Sequence, residues 1–233
     1  MANEQHGGLS WIPRFQVPLF QQIYVDLDDV LAETVRAFSR VLAHEYGRII
    51  DFAEVRSFDL GLSFNLGPAD LHHFMQLAHK PDVLVNVEPI PGAIDTLRQW
   101  RKLGVQIIVV TGRPPSTADV TRQWLRMHSV PHHALFFVRK YPKNPHVGDP
   151  SGSVSLKALA RSRFALAVED NPKMANFLVR HLGIPVLLFG RPWNTTPPQP
   201  RRQLRHLVIR CESWAAVHAA YSGGVSAAST LRL

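Results

Sequence analysis

The stretch Ile23–Thr34, IYVDLDDVLAET, decides how the rest of this chain is read. Its first three residues are apolar and make a short strand, Ile23–Val25, which stops on the carboxylates Asp26, Asp28 and Asp29. From Val30 to Tyr46 the apolar positions return at helical spacing, which predicts a helix. Strand, acidic turn and helix form the opening unit of an α/β fold.

Working outward, the same alternation resumes after an interruption. The segment PIPGAIDTLRQWRKLG places Pro91 and Gly92 before a helix with apolar Ile94, Leu97 and Trp100, ended by Gly104. The β-branched run Val105–Val110 then reads as a central parallel strand buried on both faces, closed by Thr111, Gly112, Arg113 and Pro114. Further expectations are a helix Ala118–His128, a strand Ala134–Val138, a Pro-rich loop through Asp149, a helix Ser155–Arg161 and a strand Ala165–Val168. A helix Lys173–Leu182, strands Val186–Phe189 and Leu207–Ile209, and a last helix around Trp214–Ala220 complete the pattern. Between Gly47 and Val87 only short helical stretches occur, notably Pro68–His79, broken by the loop Ser57–Gly67. The expected architecture is α/β: a doubly wound, Rossmann-like parallel sheet with an inserted small helical cap. The expected boundaries are an N-terminal leader 1–22, a core of 23–31 and 88–221, a cap 32–87, and a flexible tail 222–233.

Composition bounds the function classes. With 233 residues, 45% hydrophobic and 19% charged, the chain can bury one α/β core. A single cysteine, Cys211, excludes an internal disulfide framework and fits a reducing compartment, so a cytoplasmic location is expected. No run of about 18 apolar residues occurs, and no membrane span is expected. The 26 basic residues against 18 acidic leave a net charge of +8, which suits anionic ligands or nucleic acid. The basic residues are scattered, without the interleaved aromatics of a strand-binding surface, so nucleic acid is not the favoured partner.

In a doubly wound sheet, ligands sit at the carboxyl ends of the strands. Those ends carry Asp26, Asp28 and Asp29 after the first strand, Thr111 and Gly112 after the second, and Glu169, Asp170 and Asn171 after a later one. Carboxylates converging on one crevice repel each other unless a cation neutralises them, and oxygen donors select a hard cation such as magnesium (Mg2+) or calcium. Metal and phosphate are then the expected pair. Asp26 can act as the nucleophile of an aspartyl-phosphate pathway, and Asp28, two positions on, as the acid and base of both half-reactions. The Thr111 hydroxyl and the Gly112 amide can donate to phosphate oxygens, with a cation such as Lys157 offsetting developing charge.

Four motifs in order, DLDDV, VVTGR, a helix-borne Lys157 and VEDN, resemble those of the haloacid dehalogenase-like phosphatase superfamily over about Ile23 to Asn194. The third is the least specific, because Lys140 and Lys143 compete with Lys157, which lies about a dozen residues before Glu169 and Asp170. The resemblance implies that Asp26 is nucleophile and metal ligand, that Asp28 is acid/base and ligates through its carbonyl, that Asp170 is a metal ligand, and that Glu169 supports the metal through water. It also implies that Thr111, Gly112 and Arg113 hold the substrate phosphate. The segments PIPGA and GIPVLLFGRPWN are similar to the 5′(3′)-deoxyribonucleotidase branch, which dephosphorylates nucleoside monophosphates under a helical cap. Two departures are Asp29, where many members have Gly, and the pair Glu169–Asp170, where that branch commonly has two aspartates. A small-molecule phosphomonoester is the expected substrate, with Phe58, Phe64 and Phe74 as candidate stacking surfaces for a base, and His72 and His73 within reach of a phosphate or sugar. The alternatives are a polynucleotide end phosphatase and a catalytically silent nucleic-acid-binding module.

Overall fold

The computed structural model describes residues 22–140, 152–196 and 200–229, and side chains as far as residue 223. The predicted leader, apart from Gln22, lies outside the described residues, as do Lys143 and most of the loop before Asp149.

Six strands, β1 Gln22–Asp26, β2 Gln106–Thr111, β3 Ala134–Phe137, β4 Phe164–Glu169, β5 Val186–Phe189 and β6 Val208–Cys211, form one sheet in the order β3-β2-β1-β4-β5-β6. Every neighbouring pair is parallel. The order reverses between β1 and β4, where Val25 pairs with Val168, so Asp26 and Glu169 end side by side at the switch point.

Successive strand residues face opposite sides of the sheet, and the two cores divide accordingly. Ile23, Val25, Ile107, Val109, Leu166 and Val168 pack on one side with Trp100, Trp124 and Trp214. Trp100 belongs to α5 (Ala93–Lys102), Trp124 to α6 (Ala118–Met127) and Trp214 to α9 (Trp214–Ser229). Tyr24, Ile108, Val110, Ala167 and Val186 pack on the other side with Met174, Ala175 and Leu178 of α8 (Pro172–Leu182). Each buried apolar side chain of this size contributes about 1.5–3 kcal/mol.

A third, smaller core joins α1 (Thr34–Tyr46), α2 (Leu60–Ser63), α3 (Pro68–Ala78) and α4 (Pro81–Val85), with Phe38, Leu42, Phe64, Phe74 and Leu84 at its centre. The first helix begins at Thr34 rather than Val30, because Asp29 takes φ 56°, in the left-handed region that interrupts a right-handed helix. Residues 27–32 instead close on themselves, with the Leu31 and Ala32 amides donating to the Leu27 carbonyl at 2.9 and 3.0 Å. At the other end, Gly47 at φ 63° stops α1.

Two further expectations shift. The helix predicted over Ser155–Arg161 is one turn, α7 (Leu156–Leu159), capped by Ser155 accepting from the Ala158 amide at 3.2 Å. The last helix, expected around Trp214–Ala220, runs on to Ser229. Among the described residues no helix is long and apolar enough to cross a membrane.

Candidate active site

Asp26 ends β1 and is 3% exposed. Its Oδ1 accepts from the Leu27 amide at 2.7 Å, and its Oδ2 lies 2.6 Å from Lys140 Nζ. The same ammonium is 3.0 Å from Glu169 Oε2, which also accepts from the Tyr24 hydroxyl at 2.6 Å, while Glu169 Oε1 accepts from the Asn171 amide at 3.1 Å. Asp170 Oδ2 accepts from the Trp193 indole N–H at 2.9 Å. One carboxylate oxygen from each of Asp26, Glu169 and Asp170 lies within 4.8 Å of the other two.

One cation does not neutralise three such acids. Burial, then the charge of Glu169, push Asp26 well above the usual carboxylate range against the pull of Lys140. Asp170 is raised likewise, by burial and by Glu169 and Asp29. Burial also acts to raise Glu169, but Lys140 and the hydrogen bonds around it win and hold it low. Lys140 is itself raised, the pull of Asp26 and Glu169 outweighing the opposite effect of burial. The cluster is therefore short of positive charge, and its donors are oxygens alone, which fits a hard divalent cation. Asp26 and Glu169 both have their two oxygens engaged, Asp26 by the Leu27 amide and Lys140, whereas the Trp193 indole engages only Oδ2 of Asp170.

Lys140 corrects the sequence expectation. Lys157, favoured on spacing, is exposed on α7 and makes no part of the cluster, whereas Lys140 is buried three residues past the end of β3. The signal was available, because Lys140 follows a strand end like the other site residues.

Asp28 is held on its far side. Thr34 Oγ1 donates to its Oδ1 at 2.7 Å, Thr111 Oγ1 to its Oδ2 at 2.9 Å, and Arg113 Nε to its Oδ1 at 2.9 Å, with Arg113 Nη2 at 2.8 Å. Burial would raise this carboxyl, but Arg113 and the two hydroxyls outweigh it and lower it. Thr111 and Arg113, expected at the phosphate, thus serve Asp28 in this state: Thr111 is fully buried, and its oxygen also accepts from the Arg113 amide at 3.0 Å. Gly112 and Arg113 do line the crevice.

Asp29 occupies its strained position usefully, since its carboxylate oxygens accept from the Val35 amide at 3.2 and 3.3 Å and cap the start of α1. Burial, partly offset by Arg191, pushes this carboxyl up to about 7. An unfolded aspartate releases its proton near pH ~4, so between pH ~4 and about 7 the native state binds more protons and stability falls as pH rises. Asp29→Asn, which cannot ionise and tolerates positive φ, will therefore melt above the wild type at pH 8 in metal-free buffer. At pH 4 the two will melt together. A gain that is equal at both pH values would contradict the assignment.

Above these acids lies a cavity of about 770 Å³ with Phe38, Phe58, Met75 and Trp193 among its walls. Phe58 stands edge-on to Trp193, with ring centroids 6.4 Å apart. Phe64 and Phe74, the other candidate stacking surfaces, are fully buried against each other at 5.4 Å and face the small helical core, not the cavity. His72 and His73 are exposed on α3 and do not line it, whereas His79 and Trp193, which sequence reading passed over, do. Phe74→Ala is expected to cost about 3–5 kcal/mol in urea unfolding, as for other buried aromatics. Phe58→Ala will leave the urea midpoint nearly unchanged and raise KM, because its ring touches the cavity.

An acid cluster at the switch point of a parallel sheet, beneath a cavity, is the arrangement of a phosphohydrolase of the haloacid dehalogenase-like class. The family model described as "5' nucleotidase, deoxy (Pyrimidine), cytosolic type C protein" matches residues 21–146, from β1 past Lys140, and the chain belongs to that family. It is a nucleotidase-like phosphomonoester hydrolase.

Relatives agree over nearly the whole length. The chain is 19% identical over 195 residues to the "Putative nucleotidase" of Halalkalibacterium halodurans, covering 84% of this chain and 89% of that protein. It is 22% identical over 194 residues to the YqfW protein of Bacillus subtilis, named in the same way, covering 82% and 88%. Among solved structures, a HAD family hydrolase of Deinococcus radiodurans with bound phosphate and sodium shares the fold at TM-score 0.54 and 19% identity, over 89% of this chain and 97% of that one.

Proposed function

We propose that this protein releases phosphate from a small phosphomonoester of the nucleoside monophosphate kind, through an aspartyl-phosphate on Asp26, with magnesium as its metal. The observation that carries the reading is the joint burial of Asp26, Lys140, Glu169 and Asp170 beneath an aromatic-walled cavity. An Asp26 carboxylate oxygen attacks phosphorus as the bond from phosphorus to the ester oxygen breaks. Asp28, which Arg113 holds ionised in this structure, acts as the acid after turning from Arg113 and taking a proton from solvent, which it passes to that oxygen. Water then attacks the acyl phosphate, Asp28 takes its proton, and inorganic phosphate leaves with Asp26 restored. Lys140 holds the Asp26 carboxylate in place and offsets charge at the phosphate. A magnesium ion held by Asp26 and Asp170, with the Asp28 carbonyl and with Glu169 behind it, would neutralise the phosphate and the carboxylates together.

Residues 32–87 act in this reading as the cap that shields the site and reads the leaving group. Phe58 and Trp193 offer the faces against which a planar base would lie. The cytoplasm is the compartment this reading keeps, supported by the single, buried Cys211.

The test is phosphate release from a panel of nucleoside 5′- and 3′-monophosphates, sugar phosphates and oligonucleotides with terminal phosphates. Release from mononucleotides that stops with EDTA and returns with magnesium is expected. Preference for oligonucleotide ends would instead favour a polynucleotide end phosphatase, the role suggested by the net charge of +8.

A further inference from the structure

His79 follows α3 and lines the cavity, and none of the roles above uses it. Its Nδ1 lies 2.8 Å from the Met75 carbonyl oxygen. A carbonyl only accepts, so Nδ1 carries the ring proton and Nε2 is an acceptor when the ring is neutral. Burial, reinforced by the charge of Arg113, holds the imidazole below the usual histidine range and so keeps it neutral. The Phe38 ring stands edge-on to it, centroids 5.5 Å apart at 67°, which fixes its plane. Among the described residues the bond to Met75 is the only hydrogen bond of this ring, so Nε2 is left for whatever fills the cavity.

We propose that His79 Nε2 accepts a hydrogen bond from a hydroxyl of the leaving group, so that the site selects phosphate esters of sugars and polyols over otherwise equal esters lacking that hydroxyl. This rests on the phosphomonoesterase reading. His79 lines the same cavity as Asp28 and Arg113. Asp28 must reach the ester oxygen, so the leaving group attached there lies in the cavity that His79 lines. In esters of sugars, polyols and nucleosides that group carries O–H on neighbouring carbons. The side chains of its neighbours, Phe38 with its ring edge-on and Met75 one turn back, supply contact area without telling donor from non-donor. An ester without the hydroxyl would leave Nε2 out of water and unpaired, which is how such sites reject deoxy analogues.

Two matched pairs test this: thymidine 5′-monophosphate against its 3′-deoxy form, and glycerol 1-phosphate against n-propyl phosphate. His79→Phe keeps a ring against Phe38 and removes both nitrogens. Within the pair that the wild type hydrolyses, this variant is expected to lose about tenfold in kcat/KM on the hydroxylated ester, mainly through KM, and nothing on its partner. His79→Asn should recover part of the loss. An equal change on both members of the pair overturns the proposal. A second measurement is independent of turnover: in Asp26→Asn protein labelled with 15N at histidine, the Nε2 resonance should move at saturating hydroxylated ester and not with the deoxy form. A resonance that moves with neither also overturns the proposal. If the wild type releases phosphate from neither pair, the resonance alone decides the role of His79, and the wider substrate panel decides the phosphomonoesterase reading.

Discussion

Asp26→Asn protein will release phosphate from the best nucleotide substrate at least about 10⁴-fold more slowly than the wild type, with its fold intact. An asparagine amide is far too weak a nucleophile to attack phosphorus in place of the carboxylate. The stability of the variant separates lost chemistry from lost folding. Because Asp26 is raised by burial and by its acidic neighbours, the native state binds its proton more tightly than the unfolded chain does, and ionising it costs stability as pH rises. A neutral asparagine removes that cost. In EDTA at pH 8 the variant should therefore melt no lower than the wild type, and the rise in melting temperature that magnesium gives the wild type should shrink, since one ligand is gone. A dead variant that melts well below the wild type would leave unfolding as the explanation, and a fully active one would remove Asp26 from the chemistry.

How far the sequence could carry this picture depends on the range of the interactions involved. Strands buried on both faces show as unbroken apolar runs, as at Val105–Val110, and acids at their ends follow from sheet topology, so the fold and the carboxylate cluster were legible. Asp28's partners were half legible. Thr111 and Arg113 stood in the right motif, but that they hold the Asp28 carboxylate in this structure depends on the reach of Arg113 across 85 positions in the chain. Phe58, Phe64 and Phe74 look alike in a loop-rich segment. Only packing shows that two of them pair with each other in the helical core while the third meets Trp193 at the cavity. Asp29 reads as an added acid beside the site, and it does line the cavity and raise Asp170; that it also sits at φ 56° and caps the Val35 amide was not legible. Lys140 and Lys157 compete in the sequence because spacing from Glu169 points to one and position after a strand to the other; the sheet decides for Lys140, three residues past β3.

Lys140 also supplies the second large effect. Its ammonium is the cation between Asp26 and Glu169, 6% exposed, and lies 5.5 Å from the Tyr24 ring centroid. Lys140→Ala leaves Glu169 buried and charged without a counter-ion, a loss of about 3–5 kcal/mol for a broken buried pair. Activity should fall about 10²–10³-fold, the usual cost of one positioned donor at a reacting centre. Lys157→Ala, on an exposed one-turn helix, should stay within about 0.5 kcal/mol of the wild type and keep its rate. The pH dependence distinguishes a charge effect from a cavity. Glu169 is held low in the native state, so its pairing stabilises above the unfolded carboxylate range and is lost as pH falls through the native one. The urea-unfolding deficit of Lys140→Ala measured in EDTA should therefore be largest near neutral pH and shrink in acid, where a protonated Glu169 needs no cation. Magnesium, placing positive charge among the same oxygens, should recover part of the deficit at pH 7. A deficit that is constant from pH 7 into acid would mean that Lys140 matters for its volume and not for its charge, and an active Lys140→Ala beside an inactive Lys157→Ala would return the catalytic lysine to the helix.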